Sequence, residues 1–112
     1  MENNKKYFIY MSGPYQGKQE NEDKMKQAII DNYRIDKHLN CMSNVYINPI
    51  SCFGCLFHET EYLEGLDMCL ELLNKCDAIY MLPGWKKSTG ACIEYGYAKA
   101  KGLDIIIYPE EE

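Results

Sequence analysis

The chain reads as a single α/β domain: a small doubly wound, Rossmann-like sheet of four parallel strands in the order 2-1-3-4, with helices on both faces. Three observations predict this class. Short apolar runs alternate with longer stretches of helical period in the order β-α-β-α-β-α-β, a pattern that calls for a parallel sheet with right-handed crossovers. The length of 112 residues suffices for one domain with one modest core. A hydrophobic content of 46% is that of an ordinary globular protein and argues against a disordered chain. No repeat, linker or low-complexity segment divides the sequence, so one domain is expected over residues 1–112.

The elements follow in order. Tyr7 to Ser12 is short, aromatic and β-branched, as a strand should be. Gly13-Pro14-Tyr15-Gln16-Gly17 is a turn-forming loop. Asn21 to Leu39 is polar overall, with apolar positions at Met25, Ala28, Ile29, Tyr33 and Ile35, which predicts a helix with one buried side. Val45-Tyr46-Ile47 reads as the second strand, closed by Asn48-Pro49. Ile50 to Thr60 has weak periodicity and is expected to be a loop near the site. In Glu61 to Lys75, Leu63, Leu66, Leu70 and Leu73 recur at helical spacing. Ala78 to Leu82 is an apolar run ended by Pro83-Gly84, a buried strand and a break. Ser88 and Thr89 are hydroxyl N-cap candidates for a helix over Ala91 to Lys101, and Gly102 suits the position just past its end. Asp104 to Tyr108 reads as the fourth strand, and Pro109 with three glutamates as a solvated tail.

A net charge of −5 leaves no basic face to neutralise a phosphate backbone, which argues against long nucleic acid. A small anionic ligand stays compatible, because backbone N–H groups and a few hydroxyls can hold it. The apolar run Tyr7 to Met11 is too short for a signal peptide or a membrane span, so a cytoplasmic protein without a membrane partner is expected. Its six cysteines are then free thiols rather than a disulfide frame. Cys52-x-x-Cys55-x-x-His58, with Cys41 upstream, offers only one close ligand pair where structural zinc usually uses two, so no metal is expected. A domain this small leaves a sheet or helix face exposed, and a homo-oligomer, at least a dimer, would cover it.

The central stretch is Asp77 to Glu94. Strand, loop and helix N-terminus form the place where open α/β sheets bind ligands. Ala91, Glu94, Tyr95 and Ala98 fall at i, i+3, i+4 and i+7, so Glu94 shares the stripe that faces the sheet. It is either an edge charge favoured by the helix dipole or a carboxylate with a task. The first loop, Ser12 to Gly17, is either a tight strand-to-helix turn or a place where backbone approaches an anion. It is neither a Walker loop nor a dinucleotide fingerprint. Asp77 precedes its strand and lies at the wrong end to meet a ligand. Asp67 sits near the N-terminal end of its helix, toward the carboxyl edge of the strands, and is expected to converge with Glu94. A nucleophile and an acid/base about 5 Å apart is the arrangement of retaining glycosyl hydrolysis.

Two motifs carry a family resemblance: Ile9-Tyr10-x-Ser12-Gly13-Pro14, and the run from Cys76-Asp77-Ala78-Ile79 through Leu82-Pro83-Gly84-Trp85, Ser88 and Gly90-Ala91 to Glu94. The chain resembles the nucleoside 2-deoxyribosyltransferase superfamily from Phe8 to Tyr108, above all its short bacterial and phage branch. The resemblance implies cleavage of the N-glycosidic bond of a nucleoside or nucleotide, with Glu94, in its Gly90-x-x-x-Glu94 context, as nucleophile. Transferases of the family carry an aspartate where this chain has Ser88. That serine is similar to the one in deoxynucleoside 5′-monophosphate N-glycosidases, where it helps hold the phosphate. Those glycosidases also carry a tyrosine matching Tyr10 and a loop matching Gly13-x-x-x-Gly17, with a serine where this chain has Pro14. The family's second carboxylate matches Cys69 here, two residues past Asp67. The resemblance thus implies Ser12, Ser88, Thr89 and the amides of Gly13, Gly17 and Gly90 around sugar and phosphate. Tyr10, Tyr15 and Trp85 would stack on the base, Asp67 would orient Glu94 or protonate the leaving base, and no cofactor is needed. The alternative is a binding protein whose pocket holds a nucleotide or ADP-ribose-like signal without cleaving it.

Overall fold

A computed structural model describes residues 5–107. The order of elements is β1 (Tyr7–Ser12), α1 (Gln19–His38), β2 (Asn44–Ile47), α2 (Pro49–Phe53), α3 (Tyr62–Leu73), β3 (Ala78–Met81), α4 (Thr89–Lys101) and β4 (Asp104–Ile107). Single 3₁₀ turns cover Gly54–Leu56 and Trp85–Lys87. The strands form one sheet in the order β2-β1-β3-β4, and all three pairings are parallel. This is the sheet expected from the alternation of strands and helices. Tyr108 and the tail Pro109 to Glu112 lie outside the described residues.

Strand alternation sorts the core onto two faces. Tyr10, Ile79 and Met81 pack with Cys69 and Leu73 of α3 and with Ala91 and Ala98 of α4. Ile9, Met11, Ala78 and Tyr80 pack on the other face with Met25 of α1 and Ile50 of α2. Helices therefore cover both sides of the sheet. β1 and β3 are buried on both faces and read as near-continuous apolar runs, the signature of central parallel strands.

Asp77 ties the amino ends of the two central strands together: its carboxylate accepts from the Phe8 N–H at 2.8 Å, and its own N–H donates to the Phe8 carbonyl at 2.8 Å. It works at the end of the sheet opposite the candidate site, as its place before the strand implies. Helix α4 is closed at both ends by its own sequence. Ser88 Oγ accepts from the Ala91 N–H at 3.2 Å. Gly102, at φ 79°, carries a Schellman closure in which the Leu103 N–H reaches the Ala98 carbonyl.

Two sequence expectations need correction. Ile50 to Thr60 is not simply a loop: Asn48 Oδ1 accepts from the N–H groups of Ile50 and Ser51, Pro49 opens the first turn, and α2 and a 3₁₀ turn follow. Five residues are too few for a helical period to show. In α3 the buried positions are Gly65, Cys69 and Leu73, whereas Leu63 is 72% exposed. The true stripe includes small residues that a leucine count overlooks. No described helix is long and apolar enough to cross a membrane.

Candidate active site

The sheet order makes β1 and β3 neighbours whose outgoing connections run to opposite sides. That topological switch point opens a crevice beyond the strands' carboxyl ends. A cavity of about 640 Å³ lies there, within the range of small-molecule sites. Its walls are the end of β1 and the loop after it, α2, the 57–62 segment, the first turns of α3 and the N-terminus of α4.

Glu94 stands in this wall and is 8% exposed. Its helical stripe points it at β1, where alternation puts Tyr10 and Ser12 on the same face. Ser12 Oγ donates to Glu94 Oε1 at 2.6 Å, and the Tyr10 hydroxyl donates to Oε2 at 2.7 Å. Both carboxylate oxygens are thereby fixed, by bonds that belong to the stronger, charge-assisted class. Burial pushes the Glu94 carboxyl above the usual carboxylate range, and the bonds from Ser12 and Tyr10 pull it partly back. Tyr10 is itself pushed well above 10, first by burial and then by the Glu94 charge, so it stays protonated and keeps donating. Of the two readings open for Glu94, an edge charge and a carboxylate with a task, its burial against two aimed hydroxyls favours the second.

Several expected site residues share this cavity. Ser12, Gly13, Tyr15, Gly17, Ser88, Thr89 and Gly90 all line it with Glu94. Ser88 Oγ accepts from the helix, which leaves its proton for another acceptor. Tyr15 is half-buried and faces Phe57 at a ring distance of 5.9 Å.

Three residues are not where the sequence placed them. Asp67 is exposed on α3 and outside the cavity wall, so it does not converge with Glu94. Two residues are about 200° around a helix, and the inward position falls to Cys69. Tyr10 is fully buried and bonded to Glu94, so its ring is no platform for a base. Trp85 is 7% exposed and packs on Tyr95 with ring centroids 4.7 Å apart, away from the cavity. The turn behind Trp85 causes this: the Trp85 N–H closes onto the Leu82 carbonyl, with Gly84 at φ 87° where a type II turn demands glycine.

The sequence reading also missed wall residues. Cys69 lines the cavity, and burial pushes its thiol up to about 11, so it is protonated and a poor nucleophile at neutral pH. Tyr62, Phe57, His58, Glu61 and Lys87 line it as well. Only Cys69 had a signal, its match to the family's second carboxylate. Cys52 and Cys55 are exposed free thiols, and among the described residues no three His, Cys, Asp or Glu side chains stand together as a metal site.

A parallel sheet of order 2-1-3-4 with a buried glutamate at its switch point defines the class: a Rossmann-like domain with a cavity beyond the carboxyl ends of its strands. The chain belongs to the family described as a domain of unknown function (DUF4406), whose model matches residues 7–107. Among solved structures it is similar to a 2-desoxiribosyltransferase from Leishmania mexicana, at 22% identity and a TM-score of 0.58, a likeness of fold. The match covers 91% of this chain and 63% of that one, so the chain spans under two thirds of the transferase's length. No curated protein matches the chain by sequence.

Proposed function

We propose that the protein cleaves the N-glycosidic bond of a small nucleoside or nucleoside 5′-monophosphate, as an N-glycosidase or a deoxyribosyltransferase, with Glu94 as the nucleophile. The observation that carries this reading is the Glu94 carboxylate, buried in the cavity wall and held through both oxygens by Ser12 and Tyr10. A carboxylate oriented in this way attacks C1′ as the bond to the base breaks, forming a glycosyl ester. Water then releases the sugar, or a second base takes it. Partial desolvation leaves the carboxylate poorly solvated and reactive, while the two hydroxyls fix its direction. Ser88, Thr89 and the amides of Gly13, Gly17 and Gly90 are the groups assigned to a 5′-phosphate, with Lys87 beside them as a cation on the same rim. The half-buried ring of Tyr15 is the face assigned to the base. The fold shared with the Leishmania transferase supports the assignment of the crevice.

The test is release of free base from a panel of deoxynucleosides and their 5′-monophosphates, read by chromatography. Glu94→Gln is expected to lower turnover roughly 10³-fold or more while leaving binding nearly intact, because it keeps the shape and removes the nucleophile. Asp67→Asn, exposed and outside the cavity, should change the rate by less than about twofold. Wild-type protein that binds a nucleotide and leaves it whole over a day would overturn the proposal.

A further inference from the structure

A departing base leaves with the electron pair of the C1′–N bond and needs a proton. Asp67 is turned away, so no carboxylic acid stands at that position of α3, and the other carboxylate in the cavity wall is the exposed Glu61. The inward position of α3 is held by Cys69, and a thiol is a weak donor. Tyr62 opens α3 and lines the cavity. Its hydroxyl lies 3.0 Å from where a Cβ on Gly90 would be, so it hangs directly over the first turn of α4. Gly90 and Glu94 are one turn apart on the same face of that helix. Tyr62 and Glu94 line the same cavity, so the hydroxyl and the carboxylate reach one compartment from two sides of the first turns of α4.

We propose that the Tyr62 hydroxyl is the acid of this site, the group that hydrogen-bonds the departing base and protonates it as the C1′–N bond breaks. The inference rests on the glycosidase reading above. In the first step a Glu94 oxygen forms the bond to C1′, the C1′–N pair moves to the base, and the Tyr62 proton follows it. In the second step the phenolate takes a proton from water, the oxygen of that water bonds C1′, and Glu94 leaves as carboxylate. Free base and free sugar are the products, and both side chains return to their starting states. The charge on Glu94 is among the causes, after burial, that raise the phenol above its usual value, as expected for two groups within electrostatic reach. Tyr62 is therefore protonated at neutral pH, the state a donor requires.

Tyr62→Phe removes only the hydroxyl, and at 61% exposure the residue is not needed to fill the core. The experiment compares release of base from 2′-deoxyguanosine 5′-monophosphate and from its N7-methylated form, whose base leaves neutral without a proton. Tyr62→Phe should lower turnover of the first roughly 10²-fold and that of the second less than about threefold. Cys69→Ala and His58→Gln should show no such selectivity. Equal loss on both substrates, no loss on either, or a selective loss in Cys69→Ala or His58→Gln would overturn Tyr62 as the acid while leaving Glu94 in place. Wild-type cleavage of the methylated substrate alone would also overturn it, because no acid would be at work. Release from neither substrate would remove the glycosidase reading on purine nucleotides and this inference with it.

Discussion

Replacing Glu94 by Gln should make the protein more stable at neutral pH, not less. Burial raises the Glu94 carboxyl and outweighs the bonds from Ser12 and Tyr10. The folded chain therefore holds this proton to a higher pH than the unfolded chain does. Stability linked to the group is fullest below its unfolded value, and it is lost as pH rises through the raised folded value. Above that, the folded state carries a constant penalty for a buried charge. Two bonds to a charged group return about 3–6 kcal/mol, and taking an ion out of water costs several. The upward direction of the shift means that the cost wins, by about 1.4 kcal/mol for each pH unit of displacement. The amide keeps both neighbours satisfied: its oxygen accepts from one hydroxyl, and its NH₂ donates to the other once that hydroxyl rotates. We expect Glu94→Gln to gain about 1–2 kcal/mol at pH 7.5, which for a domain of this size is a rise in Tm of roughly 4–8 °C. Thermal unfolding followed by circular dichroism between pH 4 and pH 8 measures it, and the gain should shrink toward zero at the acid end. A Tm for Glu94→Gln at or below wild type at pH 7.5, or a gain that grows on acidification, would refute the account of Glu94 as a buried, penalised carboxylate.

Two further outcomes follow from the same structure. Ser12 and Tyr10 both hold the Glu94 carboxyl down, so Ser12→Ala and Tyr10→Phe should each move the acid limb of the kcat/KM profile to higher pH; an unmoved limb would separate the hydroxyls from the nucleophile. Ile30, Tyr33 and Ile35 stand exposed along α1 and Leu39 just past its end, apolar surface that a second copy of the chain would cover. Light scattering at micromolar concentration should therefore give at least a dimer, and the mass of one chain would contradict that.

The half of the site that holds Glu94 was readable because it is built from regular elements. A period of two places Tyr10 and Ser12 on one face of β1, and a helical stripe places Glu94 on the inner face of α4. Each period fixes a direction, and two adjacent elements with known directions meet. What periodicity does not carry is distance: Tyr10 on the correct face reads equally as a platform for a base or a clamp on Glu94, and only its 2.7 Å bond separates the two. Trp85 fails for a related reason. An aromatic just past Pro83-Gly84 looks like a loop residue at a ligand's edge, yet the type II turn and the 3₁₀ turn after it swing the ring onto Tyr95. Asp67 was a matter of phase: once the inward stripe of α3 is Gly65, Cys69 and Leu73, residue 67 points outward.

The other half of the site was out of reach for a physical reason. It is assembled from residues 49–62, where a five-residue helix, a 3₁₀ turn and a short connection succeed one another. None of these is long enough to impose a period, so no sequence pattern announces which side chains turn inward. Tyr62 enters the wall because that connection sets the start of α3 against the N-terminus of α4. The place of Glu94 thus follows from the fold's regular frame, whereas the place of Tyr62 follows from its irregular stretch. Loops accept substitution more readily than packed strands do. A rim assembled from such stretches can therefore change its side chains while the carboxylate on α4 keeps its place. In this chain the Tyr62 hydroxyl over Gly90 is set by that irregular rim, and the Glu94 carboxylate by the regular frame.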